Sequence, residues 1–157
     1  MGTLIADVKQ PILLVVEKGE EEEAITRLSR VGFDNTIGYL EGGFLAWKES
    51  GKQVDKVTSI SAQQFENEIK NNDSVIFDVR KKSEYDNERI DSAINTPLDV
   101  INNYLSDVPD KKDFYVHCAG GYRSMIAASI LKSRGVHNII EINGGFKSIK
   151  ETSIPLI

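Results

Sequence analysis

Apolar and polar positions along the chain alternate in short blocks of two periods. From Pro11 the run PILLVVEKG is apolar through Val16 and polar afterwards, the pattern of a strand buried on both faces of a parallel sheet. EEEEAITRLSRVGF then sets Ala24, Ile25, Leu28 and Val31 at helical spacing, which predicts a helix ended by Gly32. NTIGYLEGGFLAWKESG follows as a short strand, a glycine turn and a closing helix. KQVDKVT, residues 52 to 58, is polar and aperiodic and reads as a linker.

The second stretch repeats this alternation at greater length. In ISAQQFENEIKNN, Ser61 and Gln64 form a capping box and Ile60 staples onto Phe65, so a helix starts there and fades at Asn71 and Asn72. SVIFDVR, residues 74 to 80, predicts a buried strand and KSEYDNERI a short helix. SAINTPL reads as a strand entering a turn at Pro97, and LDVINNYLS as a helix. DFYVHC, residues 113 to 118, is a strand, SMIAASILKSRG a helix beginning near Ser124 and ended by Gly135, and HNIIEI a strand. Strands alternating with helices predict an α/β fold with a mostly parallel central sheet.

Composition narrows the function more than the fold. The 157 residues carry a net charge of −5 with no basic cluster, which gives no reason to expect nucleic acid. No apolar run approaches the roughly 20 residues that span a bilayer. The opening MGTLIADVKQ lacks the order of a secretory signal, so the expected location is cytoplasmic and no membrane partner is expected. The acidic run Glu20 to Glu23 suits the first turn of a helix, and its carboxylates diverge too far to bind a metal together. No His-rich motif suggests a metal site, and no cofactor is expected.

The two stretches also resemble each other. AITRLSRVGFDNTIGYLEGGFLAW (24–47) aligns with AASILKSRGVHNIIEINGGFKSI (127–149) when one extra residue is allowed in the first copy. The strands before them, PILLVVEKG and DFYVHCAGG, correspond as well. Where the second copy has Cys118, the first has valine or glutamate; where the second has Arg123, the first is acidic. The first copy keeps the packing residues and lacks the chemical ones. It has no counterpart of Ser61 to Pro97, so residues 1–52 are expected to be the C-terminal half of an inactive repeat trimmed from a longer protein. Half a domain leaves buried-type strands uncovered, and these are expected to pack on the second copy or pair between chains.

Cys118 is the only cysteine, which excludes an internal disulfide and leaves either buried filler or a reactive thiol. Its setting favours the reactive group. It ends a buried strand, where sites form in open α/β sheets, and HCAGGYRS leads from it into a helix. Backbone N–H groups of Ala119 to Ser124 are expected to curl around the sulfur, because Gly120 and Gly121 permit positive φ. Such a cradle lowers a thiol pKa, and Arg123 adds a positive charge for an anionic substrate. His117 is adjacent in a strand and points to the other face, so a packed histidine is expected there, not a Cys–His dyad. His137 reads as an ordinary turn residue.

CAGGYRS, preceded by DVRKKSEYDNERIDSAINTPL and followed by GVHNIIEINGGF, resembles the rhodanese (sulfurtransferase) family over about residues 58 to 157. The resemblance implies a rhodanese-like fold in which Cys118 is the nucleophile and carries a persulfide sulfur. Thiosulfate or a persulfide would be the donor, and a thiol or cyanide the acceptor. It implies that Ala119, Gly120, Gly121, Tyr122, Arg123 and Ser124 bind the substrate sulfur, and that Asp78, Arg80 and Glu84 brace the site. Departures fall at Glu88-Arg89, where the family usually has glycine-histidine, and at Ile149, where an aromatic is common. The implied organisation is an inactive half-repeat at 1–52, a linker at 53–57 and an active domain at 58–157. That order resembles the C-terminal part of proteins fusing a metallo-β-lactamase-type persulfide dioxygenase to rhodanese domains, so an upstream domain of that kind is an expected partner.

Two other readings stay open. Cysteine phosphatases and arsenate reductases share the cysteine, cradle and arginine, but their loop has five residues between cysteine and arginine. Here four intervene, a smaller cradle that suits a terminal sulfur better than a tetrahedral phosphate. A non-catalytic docking module is the other, and retention of both Cys118 and Arg123 argues against it.

Overall fold

The computed structural model describes residue 5 and residues 7–70, 74–109 and 111–157. They divide into two compact units, Met1–Asp55 and Lys56–Ile157. The first unit pairs two parallel strands, β1 (Ile12–Leu14) and β2 (Thr36–Tyr39), joined by helix α1 (Glu21–Ser29) and followed by helix α2 (Gly43–Glu49). Ile12, Leu14, Leu28 and Phe33 form its core. The strand at Pro11 differs from expectation: it is short and buried on one face only. Leu13 is 64% exposed and Ile37 on β2 67%, because α1 covers a single side of a two-stranded sheet.

The second unit is a five-stranded, wholly parallel sheet in the order β3-β7-β6-β4-β5. Its strands are β3 (Thr58–Ile60), β4 (Ile76–Asp78), β5 (Ala93–Asn95), β6 (Phe114–His117) and β7 (Ile139–Ile142). Helices α3 (Ala62–Ile69), α4 (Lys82–Asn87), α5 (Tyr122–Lys132) and α6 (Gly145–Ile149) flank it. This is the α/β architecture expected from the alternating pattern.

The period of two in the strands sorts the core by face. Phe77, Phe114, Val116, Cys118 and Ile139 pack with Leu131 of α5 on one side. Phe65, Ile76, Tyr115, Ile142, Phe146 and Ile149 fill the other. Ile149, where an aromatic is usual in the family, is fully buried there. The Ser61–Gln64 capping box forms in both directions and starts α3, with Ile60 packed on the cluster that holds Phe65. The expected fading of that helix at Asn71 and Asn72 lies outside the described residues.

Three local expectations need correcting. Thr58, assigned to a linker, opens β3, which pairs in register with β7; three residues of mixed polarity are too short to show a period. LDVINNYLS forms a 3₁₀ segment, Leu98–Asp107, kinked at Val100. Helix α5 starts at Tyr122, so Arg123 and Ser124 lie in its first turn. Among the described residues no helix is long and apolar enough to cross a membrane.

Candidate active site

Strand β6 delivers Cys118 to the carboxyl end of the sheet, where its residue is 1% exposed. Gly121, at φ 98°, caps α5 and donates its N–H to Cys118 Sγ at 3.1 Å. The Ser124 hydroxyl lies 3.5 Å from the same sulfur. Burial pushes the Cys118 thiol up, but the Ser124 hydroxyl and the N–H groups of Ser124, Gly120 and Gly121 outweigh it and hold the thiol below its ordinary value. The cradle needs one glycine of left-handed φ rather than two. Gly120 is not in that region, and a Cβ there would meet nothing within 4 Å.

The second glycine turn closes the loop from behind. Phe146 N–H donates to Cys118 O at 2.6 Å and Lys147 N–H to Ala119 O at 3.0 Å. Gly145, at φ 58°, allows that approach: a Cβ would sit 2.5 Å from Cys118 O and 2.9 Å from Gly120 N. Sequence reading found the GGF repeat without this contact.

Arg123 is engaged by a carboxylate. Its guanidinium donates two hydrogen bonds to Glu84, at 2.6 and 2.8 Å, tying α5 to α4. That bonding holds the Glu84 carboxyl down at about 2 despite partial burial. Tyr122 is 80% exposed and Ala119 half-buried. A cleft of about 400 Å³ lies beside the pair, lined by Arg80, Ser83, Glu84, Asn87, Glu88, Phe146 and Lys150.

Asp78 and Arg80 occupy the face opposite Cys118. The Arg80 guanidinium donates to both Asp78 oxygens and to Glu88 O, and stacks 3.8 Å over the Phe146 ring. His117, in register with Asp78, stacks on the other part of this group, 6.0 Å from Phe146 between ring centroids. Its burial lowers its pKa, and the hydrogen-bonding contact recorded for its ring is Nδ1 to Cys118 O, not to the sulfur. These three residues therefore fix Phe146, whose N–H holds the cysteine loop. At the departure from the family pattern, Glu88 pairs with Lys150 at 2.6 Å and the Arg89 guanidinium lies over Tyr85.

Two polar residues here were missed from the sequence. Glu141 of β7 is 2% exposed, on the Cys118 face. Its Oε1 accepts from Ser124 Oγ at 2.8 Å and its Oε2 from Ser59 Oγ at 2.5 Å. The available signal was a charged residue inside the apolar run NIIEI, where burial demands partners.

Comparison with known proteins follows this geometry. A tRNA uridine(34) hydroxylase of Buchnera aphidicola is 32% identical over 104 residues, 62% of this chain and 33% of that protein. A putative sulfur carrier protein of Bacillus subtilis is 25% identical over 101 residues, 64% of this chain and 55% of its own length. The chain thus spans from a third to about half of these relatives. Among solved structures, a rhodanese-related protein of Thermoplasma volcanium superposes with a TM-score of 0.57 at 30% identity, covering 64% of this chain and 97% of that one. A thiosulfate sulfurtransferase of Pseudomonas aeruginosa shares the fold over 99% of this chain and 34% of its own, with a TM-score of 0.57 at 20% identity. The family model for the Rhodanese-like domain matches residues 61–152, more than half of the chain, and the protein belongs to the rhodanese-like family.

Proposed function

We propose that the chain is a sulfurtransferase that carries a sulfane sulfur as a persulfide on Cys118. The supporting observation is a buried thiol at the carboxyl end of the sheet, held by the Gly121 N–H at 3.1 Å and the Ser124 hydroxyl at 3.5 Å at the start of a helix. In this reading the Cys118 thiolate attacks the outer sulfur of thiosulfate or of a donor persulfide. A new S–S bond forms, and sulfite or the donor thiolate leaves with the old bonding pair. An acceptor, cyanide or a thiolate, then attacks the terminal sulfur and Cys118 leaves as the thiolate. The N–H groups that face the sulfur need no proton transfer to hold either anion.

Arg123 and Glu84 act as a pair in this scheme and orient α5 relative to α4, while Tyr122 stands at the mouth. Asp78 and Arg80 brace Phe146 behind the loop. Names among the relatives, a sulfur carrier and a tRNA sulfurtransferase of Thermoplasma acidophilum, favour protein persulfides or sulfur-relay proteins as partners. The chain is read as a cytoplasmic protein whose residues 58–157 are the active domain. In this reading residues 1–52 are an inactive half-repeat and 53–57 join it to the active domain.

The test is intact mass after thiosulfate and again after cyanide. A gain of one sulfur atom, reversed by cyanide and absent from Cys118→Ser, is the expected result. A thiol that alkylates but never gains sulfur would sink the proposal.

A further inference from the structure

Glu141 is a buried carboxylate that accepts hydrogen bonds from two hydroxyls and, among the described residues, pairs with no cation. Burying a carboxylate costs several kcal/mol unless it is well hydrogen-bonded, so those two donors are held firmly. One of them, Ser59, stands directly across from Glu141 in the β3–β7 register and lies at the exposed edge of the sheet. The other, Ser124, is also the hydroxyl nearest Cys118 Sγ.

Ser124 has one proton and three acceptors around it. Glu141 Oε1 is at 2.8 Å, Gly121 O at 2.9 Å and Cys118 Sγ at 3.5 Å. The shortest contact is to the carboxylate, and a hydrogen bond to an ionised acceptor is about twice as strong as one between neutral groups. With the proton drawn toward Glu141, Ser124 still lowers the thiol's pKa but serves the sulfur only at its longest contact, 3.5 Å, as a weakened donor.

We propose that Glu141 is a positioning residue that sets the acidity and nucleophilicity of Cys118 by drawing the Ser124 proton away from the sulfur. A cradle of unopposed donors makes an acidic thiol, and a thiolate loses nucleophilicity as its pKa falls. Glu141 weakens one donor and keeps the sulfur reactive.

Other charges near the sulfur are fixed over the range that matters. Arg123 of α5 is engaged by Glu84 of α4, and that pairing keeps both ionised well beyond neutrality on either side. The Asp78–Arg80 pair of β4 and His117 of β6 lie on the opposite face of the sheet. From α6, the loop is met by backbone N–H groups.

The inference deepens the reading of Cys118 as a nucleophile, and its test needs no sulfur donor. Cys118 is the single thiol, so the thiolate absorbance near the ultraviolet edge, corrected with Cys118→Ser, titrates it alone. In Glu141→Gln the midpoint is expected to fall by about 1 pH unit, because a nearby like charge is removed and the Ser124 proton is released to the sulfur. The limiting rate of alkylation by iodoacetamide above the midpoint is expected to fall about threefold, following the dependence of thiolate reactivity on pKa. A loosened site would raise that rate, which overturns the proposal, as does an unmoved or rising midpoint.

Adding Glu141→Gln to a Ser124→Ala chain should move the midpoint far less. An undiminished shift there overturns the route through Ser124. Should Glu141→Gln fail to fold, Ser59→Ala reads the same network: Glu141 then leans harder on Ser124, and the midpoint is expected to rise by a few tenths of a pH unit. A fixed midpoint in that variant overturns the proposal. A normal shift without any gain of sulfur mass overturns the sulfurtransferase reading and leaves Glu141's role standing.

Discussion

In the loop after β1, the N–H of Gly19, at φ 93°, donates to the Glu21 carboxylate at 2.8 Å. In the loop after β6, the N–H of Gly121, at φ 98°, donates to the Cys118 sulfur at 3.1 Å. The backbones around them run in parallel. Gly32 ends α1 at φ 84°, with Phe33 N–H returning to Leu28 O; Gly135 does so after α5 at φ 88°, with Val136 N–H returning to Leu131 O. Gly42 and Gly43, at φ 73° and 60°, answer to Gly144 and Gly145, at 77° and 58°. Gly43 comes down on Val16 O as Gly145 does on Cys118 O. Val16 O thus receives the close approach that Cys118 O receives, and the Gly19 N–H is already occupied by the Glu21 carboxylate. A loop that provides its own anion has no vacancy for another.

The largest effect should come from exchanging the two loops' chemistry. Cys118→Ser removes all sulfur loading. Adding Val16→Cys to that variant does not restore it, because Glu20 and Glu21 oppose a thiolate there. Sulfur gain by this second chain, read by intact mass, would break the comparison.

Next comes the glycine contact. Gly145→Ala combines a strained φ with a collision against Cys118 O, and should cost about 1–3 kcal/mol in urea denaturation. It should also slow sulfur loading about tenfold or more, equivalent to about 1.4 kcal/mol of misplaced cradle. Gly43→Ala should destabilise its own unit comparably and leave the loading rate as in the parent chain.

Smaller is the pH effect of the Arg123–Glu84 pair. Glu84's folded pKa, about 2, lies below its ordinary value of 4.5, so its contribution is present above pH 4.5 and lost as pH falls toward 2. Both side chains keep about a third of their exposure, and solvent screening limits the contribution to about 1 kcal/mol. A melting-temperature profile of Glu84→Gln should lack that acid-side decline. Smallest of all is Gly120→Ala, whose φ and surroundings accept a methyl group; its stability should stay within about 0.5 kcal/mol of the parent, against a clear loss for Gly121→Ala at φ 98°.

Much of this was readable from residue order. The Ser61–Gln64 box, the glycine stops and the cysteine loop are local patterns whose geometry is set by a few consecutive residues. Glu141 was not readable, because its meaning depends on Ser59, 82 positions earlier, and on Ser124, 17 positions earlier. β3 was hidden for a related reason: Thr58–Ile60 becomes a strand through the edge that β7 offers it, and carries no periodic signal of its own. The exposure of Leu13 and Ile37 was legible only from what the first stretch lacks, a counterpart of Ser61 to Pro97, and not from the apolar run itself, which announces only a tendency to be covered.

The clasp from α6 has a consequence for how the loop can move. A peptide plane turns over only when its carbonyl oxygen is released, and the oxygens of Cys118 and Ala119 are held by Phe146 and Lys147. Those two planes are locked against flipping, so the Gly120 N–H, which shares a plane with Ala119 O, keeps its edge toward the sulfur. A variant that frees either oxygen, such as Phe146→Pro or Lys147→Pro, would let its plane turn and loosen the loop around the sulfur.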